Sequence, residues 1–205
     1  WSRTANSNPM FLSKCCHDVD LMVWLTESRY AKLSSFGSLR WFRASEAPEL
    51  SSSRCVDCAI EQKCQFSAVN LYKRRREWTS NFDIPEDMTL EQVIDRELSD
   101  GPFGRCVYRC DNDVVDHQIL AMEMENGVTV ELSMDCFTLD DNRVTHICLT
   151  GGEINGDEHT IEVKRFKDRS RRVMDFSHLS EQKFHAGADL RLIEDFTNFI
   201  SGLKN

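Results

Sequence analysis

Leu12, Cys16, Val19 and Val23 recur every three to four positions, and Ser13, His17, Leu21 and Trp24 repeat that spacing on a neighbouring line. The pattern predicts a helix over 9–26 with two usable faces, opened by Asn8 as N-cap and Pro9 in the first helical position. Residues 31–42 (AKLSSFGSLRWF) are rich in aromatic and small side chains and read as a strand, with Gly37 marking a bulge or a close backbone approach. Periodicity then fails over 43–66 (RASEAPELSSSRCVDCAIEQKCQF), an excursion long enough to need a tie or a function. A short helix is predicted over 67–78. Thr89-Leu-Glu-Gln92 forms a capping box for another that ends near Leu98, before Asp100-Gly101-Pro102.

From residue 104 the pattern becomes one of strands. A short one is predicted over 104–110, and alternation over 117–125 and 128–138 flanks Asn126-Gly127, a strong hairpin turn. Segments 143–150 and 159–166 continue the meander across a turn at 151–156, and a basic loop precedes an amphipathic helix over 188–203 with Leu190, Ile193, Phe196, Phe199 and Ile200 on one stripe. The expected fold class is α+β: one domain over 9–205, an open and mainly antiparallel sheet with helices packed on one face. The other sheet face is expected to be flat, partly apolar and suited to a homo-oligomer.

Net charge of -9 and a pI near 5.2 weigh against nucleic acid as a partner, so the basic runs 73–76 (KRRR) and 164–172 (KRFKDRSRR) read as solvated faces. No run of 18 apolar residues and no apolar signal core are present, so neither a membrane span nor secretion is expected. Nine cysteines, an odd count in a chain with 40% hydrophobic residues, point to a reducing, cytoplasmic compartment. Trp1-Ser2-Arg3 reads as protein interior, and 1–8 as the remnant of an upstream strand or linker.

Three groups of residues carry candidate chemistry. In LSKCCHDVDL, adjacent Cys15 and Cys16 diverge on a helix and do not chelate one metal, which leaves His17 as a proton carrier steered by Asp20 or Asp18, or as an ordinary half-buried histidine. Cys55-x2-Cys58-x5-Cys64 has a metal-knuckle spacing, with a fourth ligand to come from Cys106, Cys110 or His117. The other readings are unligated thiols and a Cys55/Cys58 redox pair. Asp111 to His117 (DNDVVDH) lacks the glycine and glutamate of a calcium loop and is expected to turn the chain or line a cleft.

The segment PMFLSKCCHDVDLMVWL, followed by SSFGSL, CVDC with a third cysteine, GPFGRCVYRCDNDVVDHQ, a hairpin, GGEINGD and GADLRLIEDFTNFI, resembles the C-terminal domain of the Gfo/Idh/MocA oxidoreductases, over nearly the whole chain and in the same order. The resemblance implies an α+β domain that carries the sugar or polyol pocket and the oligomer interface, partnered by an upstream Rossmann domain that holds NAD or NADP. It places His17 at the active-site histidine and Asp20 at the aspartate that follows. Where the family commonly has an aspartate four residues before the histidine this chain has Ser13, with Lys14 beside it as an alternative proton carrier. Ser13, Asp116 and His117 are then pocket candidates, and Cys55, Cys58, Cys64 and Cys106 the candidate zinc ligands.

These expectations give one leading function and two rivals. The first is the substrate-side domain of an NAD(P)-dependent oxidoreductase acting on a sugar, polyol or related hydroxy compound, binding no cofactor and inactive by itself. The others are a non-catalytic dehydrogenase-like scaffold or dimerisation module, and a zinc-stabilised adaptor.

Overall fold

The computed structural model describes residues 8–140, 142–180 and 188–203. The stretch 1–7, most of the expected upstream remnant, lies outside the described residues. The chain divides into two compact units, with the boundary between Phe137 and Thr138.

The first unit opens with α1 (Met10–Lys14) and α2 (Cys16–Thr26). Pro9, not Asn8, stands at the cap, and Cys15 separates the two helices. Hydrogen bonds from Cys15 N to Phe11 O and from Val19 N to Cys15 O still run through the junction. Strands β1 (Tyr30–Ser38), β2 (His117–Met124) and β3 (Thr129–Asp135) form an antiparallel sheet in that order. Its register pairs Leu33 with Met122, Ser35 with Leu120, and Leu132 with Leu120, so alternation sets Leu120, Met122 and Met124 on one face. Phe11, Val19, Met22 and Val23 pack on that face, one helical stripe covering one side of a sheet. At Gly37 the close approach is real: a Cβ there would stand 2.9 Å from the Gln118 side chain and the His117 carbonyl. The Asn126 side chain ties the β2–β3 turn to α2 by donating to the Thr26 carbonyl.

The excursion carries no long regular element. It holds short 3-10 turns at Ala44–Glu46 and Glu61–Lys63, and Val69–Arg74 winds as a π-helix where a short helix was expected. Helix α3 (Leu90–Ser99) begins at Thr89 with the predicted capping box, its hydroxyl taking the Gln92 N–H while the Gln92 side chain takes the Thr89 N–H. Its Val93, Ile94 and Leu98 are buried with Cys55, Ala68 and Phe82 in a second core, each large aliphatic contributing roughly 1.5–3 kcal/mol. The strand expected over 104–110 does not form. Pro102–Gly104 turns as 3-10, Arg105 makes a single antiparallel bridge to Arg54, and the N–H groups of Arg109 and Cys110 both fold back onto the Cys106 carbonyl.

The second unit is a four-stranded antiparallel meander, β4 (Thr145–Leu149), β5 (Gly152–Gly156), β6 (Thr160–Arg165) and β7 (Arg171–Asp175), followed by the single turn α4 (Ser177–Ser180) and by α5 (Ala188–Ile200). The single sheet of the sequence reading is therefore two sheets. Two of the strands were unforeseen: β5 lies in the glycine-bounded segment read as a turn, and β7 in the basic run read as a loop. Cross-strand charge pairs make such a strand viable without apolar alternation, as Lys164 shows by bonding Glu153 across the β5–β6 ladder at 2.8 Å.

Candidate functional site

The helix group comes first. Phe11, Cys15, Val19 and Met22 turn toward the sheet, which leaves Lys14, His17, Asp20, Leu21 and Trp24 on the solvent side. Trp24 is 72% exposed, and Leu12 and Leu21 are also exposed, so His17 and Asp20 stand in an apolar frame that nothing among the described residues covers. The Ser13 hydroxyl donates to the Asn8 carbonyl at 3.3 Å, and no hydrogen bond joins His17 to Asp20. A shallow depression of about 580 Å³ at the end of α2, lined by Val23, Trp24, Glu27, Ser28, Arg29 and Glu125, contains none of the predicted site residues.

Asp116 and His117 do not join that group. Alternation along β2 places His117 on the sheet face opposite Leu120, whereas α2 covers the Leu120 side. The Asp116 carboxylate is 2% exposed and is occupied by the chain itself: it accepts from the backbone N–H groups of Arg40 (3.1 Å), Trp41 (2.6 Å) and Phe42 (3.0 Å) and bonds His117 Nδ1 at 2.9 Å. Burial alone would push its pKa up, but these donors together outweigh it and hold the carboxyl below its ordinary range. A chain of polar groups continues through His117 Nε2 to the Ser38 hydroxyl at 3.4 Å. Asp116 is therefore a buried organiser of the β1 exit, the chain-turning role that was one of the two expected for this segment. Sequence reasoning missed Ser38 and the three-amide cradle, because backbone donors have no residue-type signal.

Cys55, Cys58, Cys64 and Cys106 all line one cavity of about 10 Å³, beside Phe66, Ser67 and Tyr108. Two backbone devices bring them there. The Arg54–Arg105 bridge, with Cys55 N donating to Gly104 O and Cys106 N to Ser53 O, sets Cys55 and Cys106 alongside each other, while Cys58 N closes a turn on Cys55 O. Gly104 makes this possible, since a Cβ there would lie 1.9 Å from the Leu98 carbonyl oxygen. The Arg54 guanidinium bonds the Leu98 and Gly101 carbonyls at the C-terminal end of α3, where a cation is favoured. Burial pushes the Cys55 and Cys64 thiols up, the Ala68 and Phe66 backbone works against it, and neighbouring cysteines add to the rise.

The other proposed fourth ligands are engaged elsewhere. Cys110 Sγ donates to the Asn112 side chain at 3.0 Å, and His117 bonds Asp116. As the side chains stand, no three His, Cys, Asp or Glu among the described residues are already set as a metal-ligand group. No helix among them is long and apolar enough to cross a membrane. Comparison of the chain with family models, curated proteins and solved structures finds no match.

Proposed function

We propose that this chain is the substrate-side domain of an NAD(P)-dependent oxidoreductase acting on a sugar, polyol or related hydroxy compound in the cytoplasm, with His17 carrying the proton and Asp20 and Lys14 beside it. The observation that carries this reading is the solvent face of α1 and α2, where an exposed histidine and aspartate sit among exposed Leu12, Leu21 and Trp24. Such a face is completed by a second apolar surface, and the resemblance supplies one, an upstream Rossmann domain.

Both sheets here are antiparallel, and no strand, glycine-rich turn and helix follow one another among the described residues as a dinucleotide cradle. The residues present do not fit the nicotinamide cofactor, which belongs to the other domain. His17 is left with holding or accepting the proton of a substrate hydroxyl, which requires approach to about 2.6–3.2 Å.

The test is steady-state turnover of a panel of sugars and polyols by the protein joined to its cofactor domain. His17→Ala should lower kcat by roughly 10²-fold with cofactor affinity unchanged. Turnover unaltered by that substitution would remove His17 from the chemistry.

A second reading, a non-catalytic scaffold, is favoured by Ser13. Its hydroxyl bonds the Asn8 backbone, at the position where the family commonly supplies an aspartate. Absence of turnover over the whole panel, with the cofactor still bound, would select the scaffold.

A further inference from the structure

We propose that Cys55, Cys58, Cys64 and Cys106 form a structural tetrathiolate site for one zinc ion, which pins the 43–66 excursion to the loop after α3. Two separate parts of the chain, the 43–66 excursion and the loop after α3, bring these thiols to one small cavity. About one water-sized sphere fits in such a volume, and a dehydrated cation held by four sulfurs asks for no more. The chain is already folded for the purpose: the Arg54–Arg105 bridge fixes Cys55 against Cys106, and the hydrogen bond from Cys58 N to Cys55 O forms the knuckle turn of the CVDC segment.

Stability supplies the motive. Residues 43–66 have only two 3-10 turns of their own, yet Cys55 lies buried in the α3 core. A cation at the four thiols would crosslink this segment to Cys106, 42 to 51 positions away in sequence. Each thiol gives up its proton to solvent as its sulfur binds Zn²⁺, so the filled site carries two negative charges, and no electrons move. Binding requires the thiols to reorient, since the present side chains do not close a ligand set. With all four positions taken by protein, the site is structural and has no open place for substrate. It is independent of the oxidoreductase reading.

The experiment is zinc analysis of the full chain, purified with reductant and reconstituted with zinc, together with timed alkylation of each cysteine before and after chelation. About one zinc per chain is expected, with alkylation of Cys55, Cys58, Cys64 and Cys106 slowed roughly tenfold or more by the metal. Rates at exposed Cys16 and Cys148 should not change on chelation. Cys106→Ser should reduce zinc below about 0.3 per chain, and Cys110→Ser should leave it near one. If Cys106→Ser fails to fold, the alkylation map of the unaltered protein decides. Zinc below about 0.3 per chain in the unaltered protein, or protection of a different set of cysteines, overturns the proposal. Zinc in this chain, with no turnover by the protein joined to its cofactor domain, would leave the site standing while removing the enzymatic reading, and turnover by that joined protein without zinc would do the reverse.

Discussion

The Asp116 carboxylate accepts a hydrogen bond from the Trp41 backbone N–H at 2.6 Å across a sequence separation of 75 residues, and this bond, with those from Arg40 and Phe42, fixes where the chain goes as it leaves β1. Trp41 and Phe42 then stack around Tyr108, with Phe66 and Phe137 against Phe42. Asp116→Asn replaces one acceptor oxygen by a donor facing those amides, and should cost about 2–4 kcal/mol in urea unfolding. An undiminished midpoint would show that the carboxylate has no such role.

The same residue predicts an acid sensitivity. Its folded pKa lies below the unfolded value, so its contribution is fully present above about pH 4 and is lost as pH falls through the folded pKa. Stability measured between about pH 5 and pH 2 should therefore fall less steeply in Asp116→Asn than in the unaltered protein.

Gly104→Ala forces a methyl group against the Leu98 carbonyl, which is backbone and cannot rotate away. The bridge that seats Cys55 against Cys106 must shift, with an expected loss of about 2–4 kcal/mol. Thermal unfolding would measure it, and a wild-type midpoint would mean that the loop relaxes freely.

His17→Ala and Asp20→Asn should leave stability within about 0.5 kcal/mol, because both side chains are exposed and outside the two cores. Loss of stability in either would mark it as a structural residue.

Burial, with the charges of Asp116 and Asp135, pushes the Cys136 thiol up to about 11. At pH 8 only about one part in a thousand is thiolate, so iodoacetamide should modify Cys16 and Cys148 well before Cys136, as read by mass spectrometry of timed digests.

Self-association through an uncovered sheet face, an expectation from the sequence pattern, has its own check. Leu149, Phe166 and Val173 are exposed on and beside the four-stranded sheet. Light scattering at about 50 μM should give a mass above one chain, and Phe166→Ser with Val173→Thr should lower it. A monomer in both samples would end the self-association reading.

Local chemistry made much of the chain legible without coordinates. The α3 capping box, the Asn126-Gly127 hairpin and the close approach at Gly37 each follow from interactions within a few residues or from one strand's period, and a sequence displays those directly; of the helix stripe only Val19 and Val23 face the core, while Leu12 and Cys16 are exposed. The spacing of Cys55, Cys58 and Cys64 likewise singled out three thiols, whereas the placement of Cys106 beside Cys55 depends on the bridge between Arg54 and Arg105, two residues whose types say nothing about pairing. Strands β5 and β7 were hidden because glycines and charges can occupy a ladder whenever neighbours satisfy them across it. The division into two sheets, and the burial of Asp116 against the Arg40, Trp41 and Phe42 amides, were decided by tertiary structure alone. Both depend on long-range backbone hydrogen bonds, whose donors and acceptors are the same at almost every residue.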